Sequence, residues 1–168
     1  MPIPSRRGLL ALAAAALSLL PGRRPGAANM QLPPVKNRIV GTWRMVDATA
    51  RDPDSRPLPK PYGPNGMGLV TLNEDGRMMA MLCDGRAALP EGTARDYSSY
   101  CGNYTFDGQT LVTRVDASAS PRIAIGGDQV RKVRFEGGRM VLVPPPLLVN
   151  GLTQHREIYW ERISSTPA

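Results

Sequence analysis

The chain has 168 residues, 42% hydrophobic and 21% charged, a composition that fits one globular domain and excludes a disordered or fibrous chain. Its formal net charge of +7 points at first to a polyanionic partner. Four of the 21 basic residues, Arg6, Arg7, Arg23 and Arg24, fall in the first 28 residues, which hold no Asp or Glu; without them 17 bases face 14 acids, a charge of +3. With no basic run left in the remainder, nucleic acid is not an expected partner.

Leu9 to Leu20 holds one polar residue, Ser18, and is too short for the roughly 18 to 20 apolar residues of a membrane span. Its length suits the apolar stretch of a signal peptide. Ser5-Arg6-Arg7-Gly8-Leu9-Leu10 before it resembles a twin-arginine export signal, and Gly26-Ala27-Ala28 offers a cleavage point ahead of Asn29. The expectation is a removable export segment over residues 1–28, a periplasmic or secreted product, and no stable membrane span. A short Pro-containing lead-in (29–36), a main body (37–163) and a tail (164–168) complete the organisation.

The main body reads as strands, with no useful stretch of 3.6-residue apolar period. Arg38 to Ala50 is the first. Five prolines from Pro53 to Pro64 then enforce a loop, because each lacks a backbone donor. Gly68 to Asn73 and Arg77 to Cys83 flank the turn Glu74-Asp75-Gly76; Tyr100 to Phe106 and Thr110 to Ala117 flank Asp107-Gly108; Gln129 to Phe135 and Arg139 to Val143 flank Glu136-Gly137-Gly138. His155 to Arg162 follows the loop that starts at Pro144. Eight strands, three tight hairpins and no crossover helices make an antiparallel meander, and closure into an up-and-down barrel would leave no free edge. An open sandwich is the alternative.

Gly41-Thr42-Trp43 on the first strand and Trp160-Glu161-Arg162 on the last resemble the Gly-x-Trp and arginine signature of lipocalins. Pro61-Tyr62-Gly63-Pro64, Asp75-Gly76-Arg77-Met78, Tyr100-Cys101-Gly102-Asn103-Tyr104, Gln129-Val130-Arg131 and Pro144-Pro145 extend the likeness to the bacterial and fungal lipocalin-like domain family over about residues 37 to 163. The resemblance implies an eight-stranded barrel with Arg162 lying over Trp43, and a broad role in binding small apolar molecules. It implies no reaction and no cofactor.

Alternation along the strands nominates lumen residues. An inward Trp43 carries Met45 and Asp47 with it. Tyr100 and Tyr104 share one face, and Met79 and Met81 are provisional companions, since neither face of Met78 to Cys83 is polar enough to fix the parity. Arg131 and Arg134 face opposite sides of their strand, so one of them can point inward to pair with a ligand carboxylate, and Arg131 is the nominated lumen residue. Cys83 and Cys101, the only cysteines, are candidates for one disulfide in an exported protein. No metal-ligand spacing is present, and the single histidine, His155, sits beside charged neighbours at a strand end. A carboxylate pair such as Asp47 and Asp116 would be needed for acid–base work in the lumen. The leading expectation is therefore a binder of a small hydrophobic molecule without chemistry of its own. A small isomerase or cyclase acting in the same lumen and a structural module with a filled barrel are the alternatives; a lumen above about 300 Å³ would support ligand binding, and a filled interior the structural module.

Overall fold

The computed structural model describes residues 38–164; the expected export segment, the lead-in and all of the tail but Ser164 lie outside the described residues. Ten strands follow in order: β1 (Gly41–Arg51), β2 (Pro57–Leu58), β3 (Gly66–Leu72), β4 (Arg77–Asp84), β5 (Tyr97–Phe106), β6 (Thr110–Ser118), β7 (Asp128–Glu136), β8 (Arg139–Val143), β9 (Leu147–Val149) and β10 (Leu152–Arg162). All neighbours pair antiparallel, and β1 pairs with both β3 and β10, so β1, β3, β4, β5, β6, β7, β8 and β10 close into an eight-stranded barrel. The sandwich alternative falls away. β2 and β9 are short additions on β1 and β10, and proline-rich sequence around them gave no strand signal.

Local chemistry sets the hairpins. Gly137 and Gly138 adopt φ of 53° and 81°, a pair of left-handed residues that matches the twist of β7 and β8. Between β5 and β6 the Asp107 carboxylate accepts from the backbone N–H groups of Gln109 and Thr110 at 2.8 and 2.6 Å.

Two bulges decide which side chains face inward. In β1, Met45 pairs with Trp160 and Asp47 with Tyr159, leaving Val46 extra. Beyond it the parity flips, so Ala48 and Ala50 are buried while Asp47 points outward to Lys60 at 2.6 Å. The expectation that Asp47 shares the Trp43 face is thereby corrected. A second shift, at Cys101/Gly102, leaves Asp116 extra on β6.

The closed end is packed solid around Trp43, Leu72, Tyr104, Leu111, Met140 and Trp160, each at most 2% exposed. Arg162 crosses over Trp43 at 4.1 Å from the ring centroid and donates to the carbonyls of Val40 and Arg38. The Trp43 indole N–H donates to the Ile39 carbonyl at 2.8 Å. The lipocalin-type clasp expected from Gly41, Trp43 and Arg162 is therefore present, and it ties the chain entering β1 to the end of β10.

Candidate functional site

At the other end the barrel is open. A chamber of about 290 Å³ is lined by Tyr62 from the loop before β3, Ser98 on β5, Ser120, Arg122 and Ile123 after β6, and Gln129 and Arg131 on β7. Pro144 to Pro146, Leu147, Arg156 and Ile158 complete it. A much smaller space of about 30 Å³, sharing Tyr62, Ser98, Arg131 and Ile158 with the chamber, is lined by Val70, Met78, Ala80, Leu82, Tyr100, Leu142 and Trp160. The barrel is thus filled below and open above, at the lower edge of the volumes typical of small-molecule sites.

Strand alternation delivers these side chains. On β10, Trp160, Ile158 and Arg156 share one face, so the parity that buries Trp160 carries Arg156 into the mouth. On β7, Gln129, Arg131 and Val133 share the inner face in the same way. Each inward arginine is held by the glutamine two residues before it. Arg131 donates to Gln129 Oε1 at 3.1 Å and to the Val130 carbonyl at 2.7 Å. Arg156 donates to Gln154 Oε1 through Nε at 3.0 Å and Nη2 at 2.7 Å. These acceptors are neutral, and no Asp or Glu lines the chamber. Arg122 does have an acid, Asp96, at 2.7 Å. Burial pushes the Arg156 guanidinium below its usual pKa, with a further push from Arg122 against the pull of Tyr62 and Asp96. Burial also pushes the Tyr62 phenol up, and the Asp96 charge adds to this, so Tyr62 stays a protonated donor in neutral solution.

Tyr62 is positioned by an unusual backbone, φ 60°, and the following Gly63 has φ 72°. A Cβ at Gly63 would collide with the Asp84 carboxylate, which faces inward beneath the loop and is bonded through Arg86 Nη2 at 2.6 Å. Arg86 holds the Asp84 carboxyl below the usual carboxylate range.

Of the nominated lumen residues, Tyr100 faces inward beside the smaller space, and Arg131 lines both spaces. Tyr104 is inward but at the packed closed end, 2% exposed, where its hydroxyl donates to the Asn73 carbonyl at 2.9 Å. Met79 and Met81 are not in the lumen. They lie on the outer wall, 63% and 46% exposed, with Met67, Leu69 and Tyr97; it is Met78, Ala80 and Leu82 that turn inward. The expected disulfide is absent as well. Cys83 pairs across β4 and β5 with Tyr97, and Cys101 with Met79, an offset of four residues or about 13 Å along the strand, beyond what a disulfide spans. Both cysteines are free. Asp116 lies on the outer wall in an ion pair with Arg77, so the Asp47 and Asp116 pair does not form in the lumen. His155 is exposed opposite Arg51.

Sequence reasoning missed Tyr62, Arg122 and Arg156. Arg156 had a usable signal in its even spacing from Trp160. Tyr62 and Arg122 sit in loops, where no periodicity exists to place them.

No curated protein matches the chain. The family profile described as the lipocalin-like domain matches residues 40–163, from just before β1 through to just after β10. With the closed eight-stranded barrel and the clasp of Arg162 on Trp43, this match establishes that the chain belongs to the lipocalin-like domain family.

Proposed function

We propose that the chain is an exported protein that binds a small molecule with an apolar body in the open end of its barrel, and that it carries no chemistry of its own. The observation that carries this reading is the chamber of about 290 Å³ above a packed barrel floor. Its apolar wall, made by Ile123, Pro144 to Pro146, Leu147 and Ile158, suits an apolar body, and the polar groups opposite would fix its orientation. The lining holds no Asp, Glu, His or Cys to act as a general base or nucleophile, which favours carriage over isomerisation or cyclisation. The twin-arginine-like segment before residue 29 supports an exported product.

Native mass spectrometry of the protein purified from its own host tests the reading. A discrete mass increment from a small co-purifying compound, on a chain beginning near Asn29, is the expected result. Repeated recovery of an empty protein that takes up no added small apolar compound would overturn it.

A further inference from the structure

We infer that the barrel mouth is an oxyanion site: the molecule it takes carries a carboxylate, or an equivalent oxyanion head, seated between Arg131 and Arg156. This inference rests on the binding role proposed above and names the class of ligand.

Three observations converge on it. First, the two arginines flank one position in the wall. Lys132 pairs with Val143 and Ile158 with Leu142, so continuing the β7–β8 register by one step and the β10–β8 register by two places Arg131 and Arg156 on either side of Pro144. Their Cα atoms are then two strand spacings apart, about 10 Å, a distance from which two long guanidinium side chains reach one head group. β8 ends at Val143, so at this level the two arginines face each other across a proline rather than across a paired strand.

Second, the charge in the mouth is unbalanced. Arg122, Arg131 and Arg156 line the chamber with no lining acid; Asp96 forms its ion pair with Arg122 and reaches Arg156 only as a longer-range attraction. A half-buried guanidinium without a counter-charge is a poor arrangement for a protein to maintain, whereas a planar fork with free N–H donors is well shaped for an oxyanion. The paired glutamines Gln129 and Gln154 hold the arginines in place through neutral oxygens and leave their charge unspent. The elsewhere-abundant pairing of this protein makes the contrast sharper: Arg44, Arg56, Arg77, Arg86, Arg114 and Arg134 all have carboxylate partners.

Third, hydroxyl groups line the mouth and one indole donor lies below it. Tyr62, Ser98 and Ser120 line the chamber, and Trp160, which lines the smaller space beneath it, is 1% exposed with an indole N–H that has no hydrogen-bond partner. No carboxylate, the acceptor that a cation or an amine would call for, lines the chamber.

Calorimetric titration of the protein with naphthalene-2-carboxylate and with its neutral isostere naphthalene-2-carboxamide separates charge from shape. Benzoate and inorganic phosphate serve as smaller probes that distinguish an apolar acid from a bare anion. The carboxylate is expected to bind about tenfold or more tightly than the carboxamide, the margin of a charge-assisted over a neutral hydrogen bond. R131Q and R156Q should each weaken the carboxylate about tenfold while leaving the carboxamide unchanged within about twofold, and R156K should recover part of the loss. Because neither arginine forms an ion pair, both glutamine variants should keep the parent Tm, which guards against reading a folding defect as lost binding. Equal binding of carboxylate and carboxamide, unchanged in the variants, would overturn the anion site and leave the binding role standing. Binding of none of the four probes would overturn both. Phosphate binding as tightly as the carboxylate would support the oxyanion site and remove the apolar body from the account.

Discussion

Replacing Arg162 by Ala removes the clasp at the closed end and should cost about 2 to 4 kcal/mol. The guanidinium lies 4.1 Å from the centroid of Trp43, a contact of about 1 kcal/mol at a partly buried position. It also donates to the main-chain carbonyls of Val40 and Arg38, and each such charge-assisted bond is worth about 1.5 kcal/mol. The Arg38 carbonyl is on the exposed side and recovers a bond to water, so the sum is not reached in full. R162K keeps a cation over the ring but loses the forked pair of donors, and should fall about midway, near 1 to 2 kcal/mol. Urea unfolding followed by tryptophan fluorescence reads both, because Trp43 loses its cover in the variant. An R162A protein within about 0.5 kcal/mol of the parent, with unshifted emission, would refute the view that this arginine joins the two chain ends of the barrel.

The parity assigned to β4 makes a second comparison. M79S and M81S, on the outer wall, should change stability by no more than about 0.5 kcal/mol, whereas Met140→Ala, fully buried, should cost about 2 to 5 kcal/mol by denaturant unfolding. Thiol titration of the native exported protein should find two free cysteines; an intact disulfide linking Cys83 and Cys101 would contradict the β4–β5 register. Asp84 gives a pH dependence. Its bonds to Arg86 depress its native pKa below the ordinary value of about 3.9, so its contribution is complete above about pH 4 and is lost as pH falls through the lower native value. D84N should therefore be less stable at neutral pH and should show a shallower decline on acidification; equal acid slopes in the two proteins would count against the pairing.

Most of the fold was legible because each device that builds it is local. The three glycine-bearing turns mark the hairpins, and the eight barrel strands fall within a few residues of where alternation and turn chemistry place them. The inner and outer faces were legible only where the two faces differ in polarity. On β4 both are apolar, Met78, Ala80 and Leu82 against Met79, Met81 and Cys83, so sequence could not choose between them, and the outer set is the one that the register exposes. On β1 the period is broken at Val46 by a bulge that no residue type announces, and this carried Asp47 out of the lumen. The site was less legible than the fold for a related reason. Arg131 and Arg156 lie on regular strands and follow parity from Val133 and Trp160. Tyr62, Arg122 and the Pro144 to Pro146 wall come from loops, which reach the mouth through tertiary closure alone. The proline-rich runs did announce loops, but not which end of the barrel they would line.

Binding of a small molecule in the open end of this barrel is read out residue by residue by chemical-shift mapping on isotope-labelled protein titrated with naphthalene-2-carboxylate and, separately, with its carboxamide. Shifts clustered at Tyr62, Ser98, Arg131, Arg156 and Ile158, with Trp43 and Phe135 at the closed end unmoved, are the predicted result for at least one of the two. Shifts confined to the outer wall around Met67, Met79 and Met81, or none with either compound, would contradict it.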